Sequence, residues 1–241
     1  NELEALKEKY GDERRTKVVK GAVKNLSVED LVPEEENALV LTSGGYIKRT
    51  NPAEYKRQKR GGVGVVDLDT KEEDFVTNFL TASTHDDLLF FTDKGKAYQI
   101  KMYDIPEGKR ATRGKSIMNF ISLTDGEKVT SILPMSKNAK SIVGSLVMVT
   151  SEGTTKKVSA KSFTDVRASG IIAIKLGAGD RLVAVECVSK GDDVSIVSKH
   201  GQSIRFKESN IREMGRSAGG VRGIKLGKGD SVISAHVIKS S

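Results

Sequence analysis

"LVMVTSEGTTKKVS", residues 146–159, is a short apolar run, a threonine, two polar residues, a glycine and a second run of mixed character. Apolar runs of four or five residues, rich in Val, Leu and Phe and closed by a glycine turn, read as β-hairpins. The same arrangement occurs in "LVLTSGGYIKRT" from Leu39, "LLFFTDKGKAYQIK" from Leu88 and "VSIVSKHGQSIRFK" from Val194. The turn glycines Gly45, Gly95, Gly153 and Gly201 are spaced by 50, 58 and 48 residues. A period of this size marks a repeat architecture.

Each hairpin is followed by a second element: "RGGVGVVDL", "RGKSIMNFISL", "RASGIIAIKL" and "RSAGGVRGIKL" in the four copies. Three copies then carry a tight acidic turn, "TDGEKV", "GAGDRL" or "GKGDSV", and a last alternating strand. The first copy reaches its last strand through "DTKEEDFVTNFLTAS", without the glycine turn. About four strands per ~50 residues, with no helical period between them, predict an all-β, propeller-like array of about four four-stranded blades. The repeats are expected at about 38–87, 88–144, 145–189 and 190–241. Residues 1–37 stand apart and are expected to be a helical tail and acidic connector from an upstream domain. Leu3, Leu6 and Tyr10 share one helical face with Gly11 as C-cap, "SVED" at Ser27 resembles a capping box, and "PEEEN" is a solvated linker.

Forty Lys and Arg against 32 Asp and Glu leave a net charge of +8, which favours an anionic partner such as nucleic acid. No apolar run approaches the ~18 residues of a membrane span. The single cysteine, Cys187, excludes an internal disulfide framework and fits a cytoplasmic protein. Alternation with Val183 and Val185 predicts that it is a small core residue. With 5 Tyr, 7 Phe and no Trp, stacking on single-stranded bases has little to work with, so the duplex backbone is the better partner.

The charge is phased. The fourth residue after each hairpin glycine is Arg49, Gln99, Lys157 or Arg205, and the sixth, on the same strand face, is Asn51, Lys101, Ser159 or Lys207. That face is expected to look outward; Lys48 and Lys156, next to it in the strands, are further candidate DNA contacts. The arginines that open the second element, Arg60, Arg113, Arg167 and Arg216, add a cation at an equivalent place. Lys115 and Arg222 lie in the same elements. The densest cluster, "YKRQKRGGVGVVDLD" at residues 55–69, sets four cations beside Gly61, Gly62 and Gly64, where bare backbone would admit a polyanion. A curved row of cations suits a bent duplex read through its phosphates.

The stretch "QKRGGVG", Gln58 to Gly64, resembles the seven-residue box of the DNA gyrase A C-terminal domain. "GDERRT", "GYIKRT", "KEEDF", "RASGIIAIKL" and "MGRSAGGVRGIKL" are similar to other phrases of that family. The resemblance spans essentially the whole chain. It implies a β-pinwheel whose blades exchange a strand with a neighbour and whose basic rim wraps duplex DNA, so that gyrase, a type II DNA topoisomerase, can introduce negative supercoils. It implies a wrapping role for Gln58, Lys59, Arg60, Gly61, Gly62 and Gly64. The implied partners are double-stranded DNA, the rest of a dimeric gyrase A protein and gyrase B, at the bacterial nucleoid. Lys59 and Val63 depart from the family box, where many members have arginine and a second basic residue. Members of this type usually have six repeats; four are found, so an open arc is expected.

No catalytic constellation is found. His85, His200 and His236 are far apart, "GGVGVV" opens no helix, and no P-loop is present. The chain alone is therefore expected to catalyse nothing and to hold no cofactor or metal. The alternative function is a protein-interaction propeller whose rim binds an acidic partner.

Overall fold

The computed structural model describes residues 1–12, 28–55, 74–109, 111–136 and 144–240. The chain divides into two units, Asn1–Leu31 and Val32–Ser241. The first holds helix α1 (Glu2–Tyr10), closed by the Gly11 N–H on the Lys7 carbonyl, and the short α2 (Val28–Leu31). Leu3, Leu6 and Tyr10 are exposed on α1. Ser27 lies outside the described residues, and with it the expected capping box.

The second unit is built from four antiparallel sheets. The first repeat contributes β1 (Glu36–Thr42), β2 (Tyr46–Thr50) and β3 (Val76–Ser83). The second contributes β4 (Asp87–Thr92), β5 (Lys96–Lys101), β6 (Lys115–Ser116) and β7 (Val129–Met135). In the third are β8 (Ser145–Thr150), β9 (Thr154–Ser159), β10 (Ile171–Ile172) and β11 (Leu182–Val188). In the fourth are β12 (Asp193–Ser198), β13 (Ser203–Lys207), β14 (Val221–Arg222) and β15 (Val232–Ile238). The two-residue strands do not stay with their own repeat: the sheets run β3-β1-β2-β6, β10-β5-β4-β7, β11-β8-β9-β14 and β13-β12-β15. Each of the first three blades is thus completed by the repeat that follows it. Among the described residues the fourth sheet has three strands.

The hairpin motif has a local cause. The turn glycines adopt φ between 71° and 82°, a region L side chains avoid. The hydroxyl three residues before the glycine accepts the N–H of the residue after it: Thr42 from Tyr46, Thr150 from Thr154, Ser198 from Gln202. An acid from just before the last strand then caps the turn. Asp74 accepts Ser43 Oγ–H and Gly44 N–H at 2.8 and 2.7 Å, Asp180 serves Ser151 and Glu152, and Asp230 serves Ser198 and His200. The acidic turns read from sequence are these caps, and the "DTKEEDF" variant supplies one as well. Glu127 does the same work for the second blade from a fully enclosed position. It accepts from Thr92 and Tyr98 hydroxyls on one oxygen and from Thr124 on the other. Burial pushes its pKa up, but these hydrogen bonds outweigh burial and hold it at about 2.

The core sits between successive blades. Leu39, Leu41 and Ile47 of the first pack on Leu88, Phe90 and Tyr98 of the second. Leu89 and Phe91, on the reverse face of β4, pack on Leu146, Met148 and Phe163. Val147 and Val149 meet Val194 and Ile196. An inner sheet therefore buries both faces, which is why "LLFF" reads as an unbroken apolar run; each such side chain contributes roughly 1.5–3 kcal/mol. Each last strand carries a register shift at the same place, near Thr42, Thr92, Leu182 and Ser198. In β11 this shift moves full burial to Leu182, Val185 and Val188, and Cys187 at the strand end is exposed, not a core residue as its alternation suggested.

Candidate nucleic-acid interface

β3, β7, β11 and β15 pack on one another in order and form the inner edge of the blades. The opposite edge is made of the donated segments. Each approaches β2, β5 or β9 through a glycine of positive φ, Gly114, Gly170 or Gly220. A Cβ on Gly114 would lie 2.5 Å from the Ile47 carbonyl oxygen, one on Gly170 2.5 Å from the Tyr98 ring, and one on Gly220 2.7 Å from the Thr155 oxygen. Ile117, Ala173 and Gly223 then each donate their N–H, at 2.8 Å, to the carbonyl of the turn glycine of the preceding hairpin. Glycine beside arginine in these elements is thus explained by a strand crossing close over its neighbour.

The segments also join end to end. Ser122 N–H reaches the Ala168 carbonyl at 3.3 Å, and Lys175 N–H the Ala218 carbonyl at 3.3 Å. Residues 109, 111–123, 167–176 and 216–226 thereby form one belt along the outer edge. The described residues of this belt include eight Lys and Arg and no Asp or Glu, leaving 32 basic against 32 acidic residues in the rest of the chain. The whole positive excess lies in the belt. Lys109, Lys115, Arg167, Lys175, Arg216, Arg222 and Lys225 are exposed. Arg113 Cζ sits over the Tyr46 ring, 3.7 Å from its centroid, and Arg216 donates to the Ser162 carbonyl. Among the described residues no belt cation pairs with a carboxylate.

Of the residues expected on a basic rim, Arg113, Lys115, Arg167, Arg216 and Arg222 are on this belt. Lys109, Lys175 and Lys225 are additional; the equal places of Lys175 and Lys225 in "IKL" of the third and fourth copies were the available signal. The strand cations need correction. Lys48 and Lys156 are 1% and 0% exposed. Arg49 Nε donates to the Ile105 carbonyl at 2.7 Å and its guanidinium lies 3.7 Å from Glu107; Lys157 pairs with Glu208 at 2.6 Å. Gln99 likewise accepts from Val166 N–H. Alternation implied one wet face, but blades cover both faces, so this position ties each hairpin to the following repeat. Lys101 pairs with Asp87, while Arg205 and Lys207 share Asp193 and stay 61% and 63% exposed. Gln58, Lys59, Arg60, Gly61, Gly62 and Gly64 lie outside the described residues.

Repeated blades that complete one another by strand exchange define a propeller-type domain with a cationic outer edge. The family model described as DNA gyrase C-terminal domain, beta-propeller, matches residues 36–83, 86–135, 144–189 and 192–239, and the chain belongs to that family. The DNA gyrase A protein of Staphylococcus epidermidis is 40% identical over 240 residues, 100% of this chain and 27% of that protein. The chain thus spans about a quarter of the length of the curated relatives it matches. A solved C-terminal domain of DNA topoisomerase IV superposes with a TM-score of 0.71 at 28% identity, over 87% of this chain and 63% of that one. A solved DNA gyrase A C-terminal domain gives 0.68 at 30%, over 85% and 66%.

Proposed function

We propose that this chain binds double-stranded DNA along the belt and bends it around the blades, as the non-catalytic wrapping module of a DNA gyrase. In that role it serves ATP-dependent negative supercoiling at the bacterial nucleoid, together with the remainder of gyrase A and with gyrase B. The supporting observation is the belt itself: among its described residues, eight cations and no acid on one continuous edge. Phosphates along a duplex ask for repeated positive charge and no base-specific geometry. Bending costs on the order of 1–6 kcal/mol over 20–30 base pairs, and many phosphate contacts offset it. The box at Gln58 to Gly64 joins this surface in the proposal through its family resemblance.

The test is the salt dependence of duplex binding. Replacing Lys175, Arg222 and Lys225 together by alanine is expected to lower the slope of log affinity against log salt by about 2.7, near 0.9 per lost phosphate contact. Replacing Lys94, Lys128 and Lys199, which lie off the belt, should change it by less than about one contact. Equal losses in the two triple variants would refute the assignment of the belt.

A further inference from the structure

Lys156 combines complete burial with a cationic head. Its side chain leaves β9 toward the second blade, and its Nζ donates to the Ala173 carbonyl at 2.8 Å and to the Arg216 carbonyl. These acceptors belong to the second and third belt segments, beside the Lys175 N–H to Ala218 carbonyl bond that joins them. No carboxylate partners Lys156 among the described residues. At the equivalent place in the first hairpin, Lys48 Nζ reaches the Lys109 carbonyl at 3.4 Å. In the second hairpin Tyr98 stands there, and its hydroxyl goes to Glu127 instead of the belt. Among the described residues, only the junction of the second and third segments is thus held by one buried ammonium touching both sides.

Taking an ammonium out of water is costly unless its charge is compensated, and two carbonyl dipoles compensate it in part. We propose that Lys156 is a positioning residue for duplex DNA, one that locks the two belt segments in register and presents from beneath them a positive charge that the phosphate backbone completes. This rests on the DNA reading of the belt. By linkage, DNA binding must then favour the protonated lysine, and protonation must favour DNA. Burial, reinforced by the nearby Arg216 guanidinium, lowers the Lys156 pKa to about 8, so the exchange falls in an accessible range. Arg216 is the charged group acting on it.

The experiment is calorimetric titration of the 241-residue chain with mixed-sequence duplex DNA near pH 8, in buffers of different ionisation enthalpy. The expected result is uptake of up to about half a proton per bound chain, absent in Lys156→Met, which keeps an unbranched stem without donors. The wild-type affinity should fall more steeply than that of Lys156→Met as pH rises through 8. Should Lys156→Met fail to fold, Arg216→Ala replaces it: removing the guanidinium should move the midpoint of the proton-linked change upward. DNA binding with no uptake, or uptake unchanged in Lys156→Met, or a midpoint unmoved in Arg216→Ala, overturns the inference while leaving the belt intact. Absence of DNA binding by the wild-type chain would instead overturn the function proposed above.

Discussion

Alanine at Gly114 tests how the belt is held. The residue has φ +88°, which costs an L side chain roughly 1–2 kcal/mol. Its new Cβ would sit 2.5 Å from the Ile47 carbonyl oxygen, a backbone atom that cannot rotate away. Relieving such a contact costs about 1–3 kcal/mol. The expected destabilisation of Gly114→Ala is therefore roughly 2–5 kcal/mol in urea denaturation. Two controls separate the terms. Gly126 has φ +68° and nothing within 4 Å of a Cβ, so Gly126→Ala should show only the conformational cost of roughly 1–2 kcal/mol. Gly177 has neither constraint, and alanine there should be neutral or stabilising by about 0.4–1 kcal/mol. Lifting the first belt segment should also remove the phosphate contacts proposed for Arg113 and Lys115, lowering the salt slope by about 1.8. If Gly114→Ala is no worse than Gly126→Ala, the donated segment is not pressed against β2 and the belt reasoning fails.

Two further outcomes follow from the packing. Glu208→Gln leaves the Lys157 ammonium, 14% exposed, without its carboxylate and is expected to cost about 1–3 kcal/mol, whereas Arg205→Ala at the equivalent, 61% exposed place should cost under ~1 kcal/mol; denaturation midpoints compare them directly. Glu127 has a folded pKa of about 2 against an ordinary 4.5, so its contribution is fully present above about pH 4.5 and is lost as pH falls toward 2. That contribution is on the order of 3 kcal/mol, and Glu127→Gln should flatten this acid limb of the stability profile; an unchanged limb would contradict the hydrogen-bond network.

The repeats were legible because each hairpin carries its signal locally: a hydroxyl, a glycine of positive φ, and apolar runs on either side. Strand donation left no comparable local trace. The pairing of Lys115 with Ile47 spans two repeats and involves two residues per strand, too short for any alternation to reveal. For the same reason Arg49 and Lys157 were assigned to a wet face. Alternation tells which residues share a side of a strand, not whether that side meets solvent or another blade. Arg167, Arg216 and Arg222 were found because they belong to the segments that form the outer edge. Asp74 was missed as a turn cap, since it sits in an acid-rich stretch where no single carboxylate stands out.

Because three of the sheets borrow their final strand from downstream, no such unit is finished when its own residues leave the ribosome. Its outer face stays incomplete until the next repeat is synthesised and reaches back. Neighbours therefore overlap like roof tiles, each fastening the one laid before it. Severing the chain between two repeats would take the last strand from the sheet before the cut and leave the donated segment after it without a partner, and stability should spread along the array in shared steps, not as a sum of separate pieces.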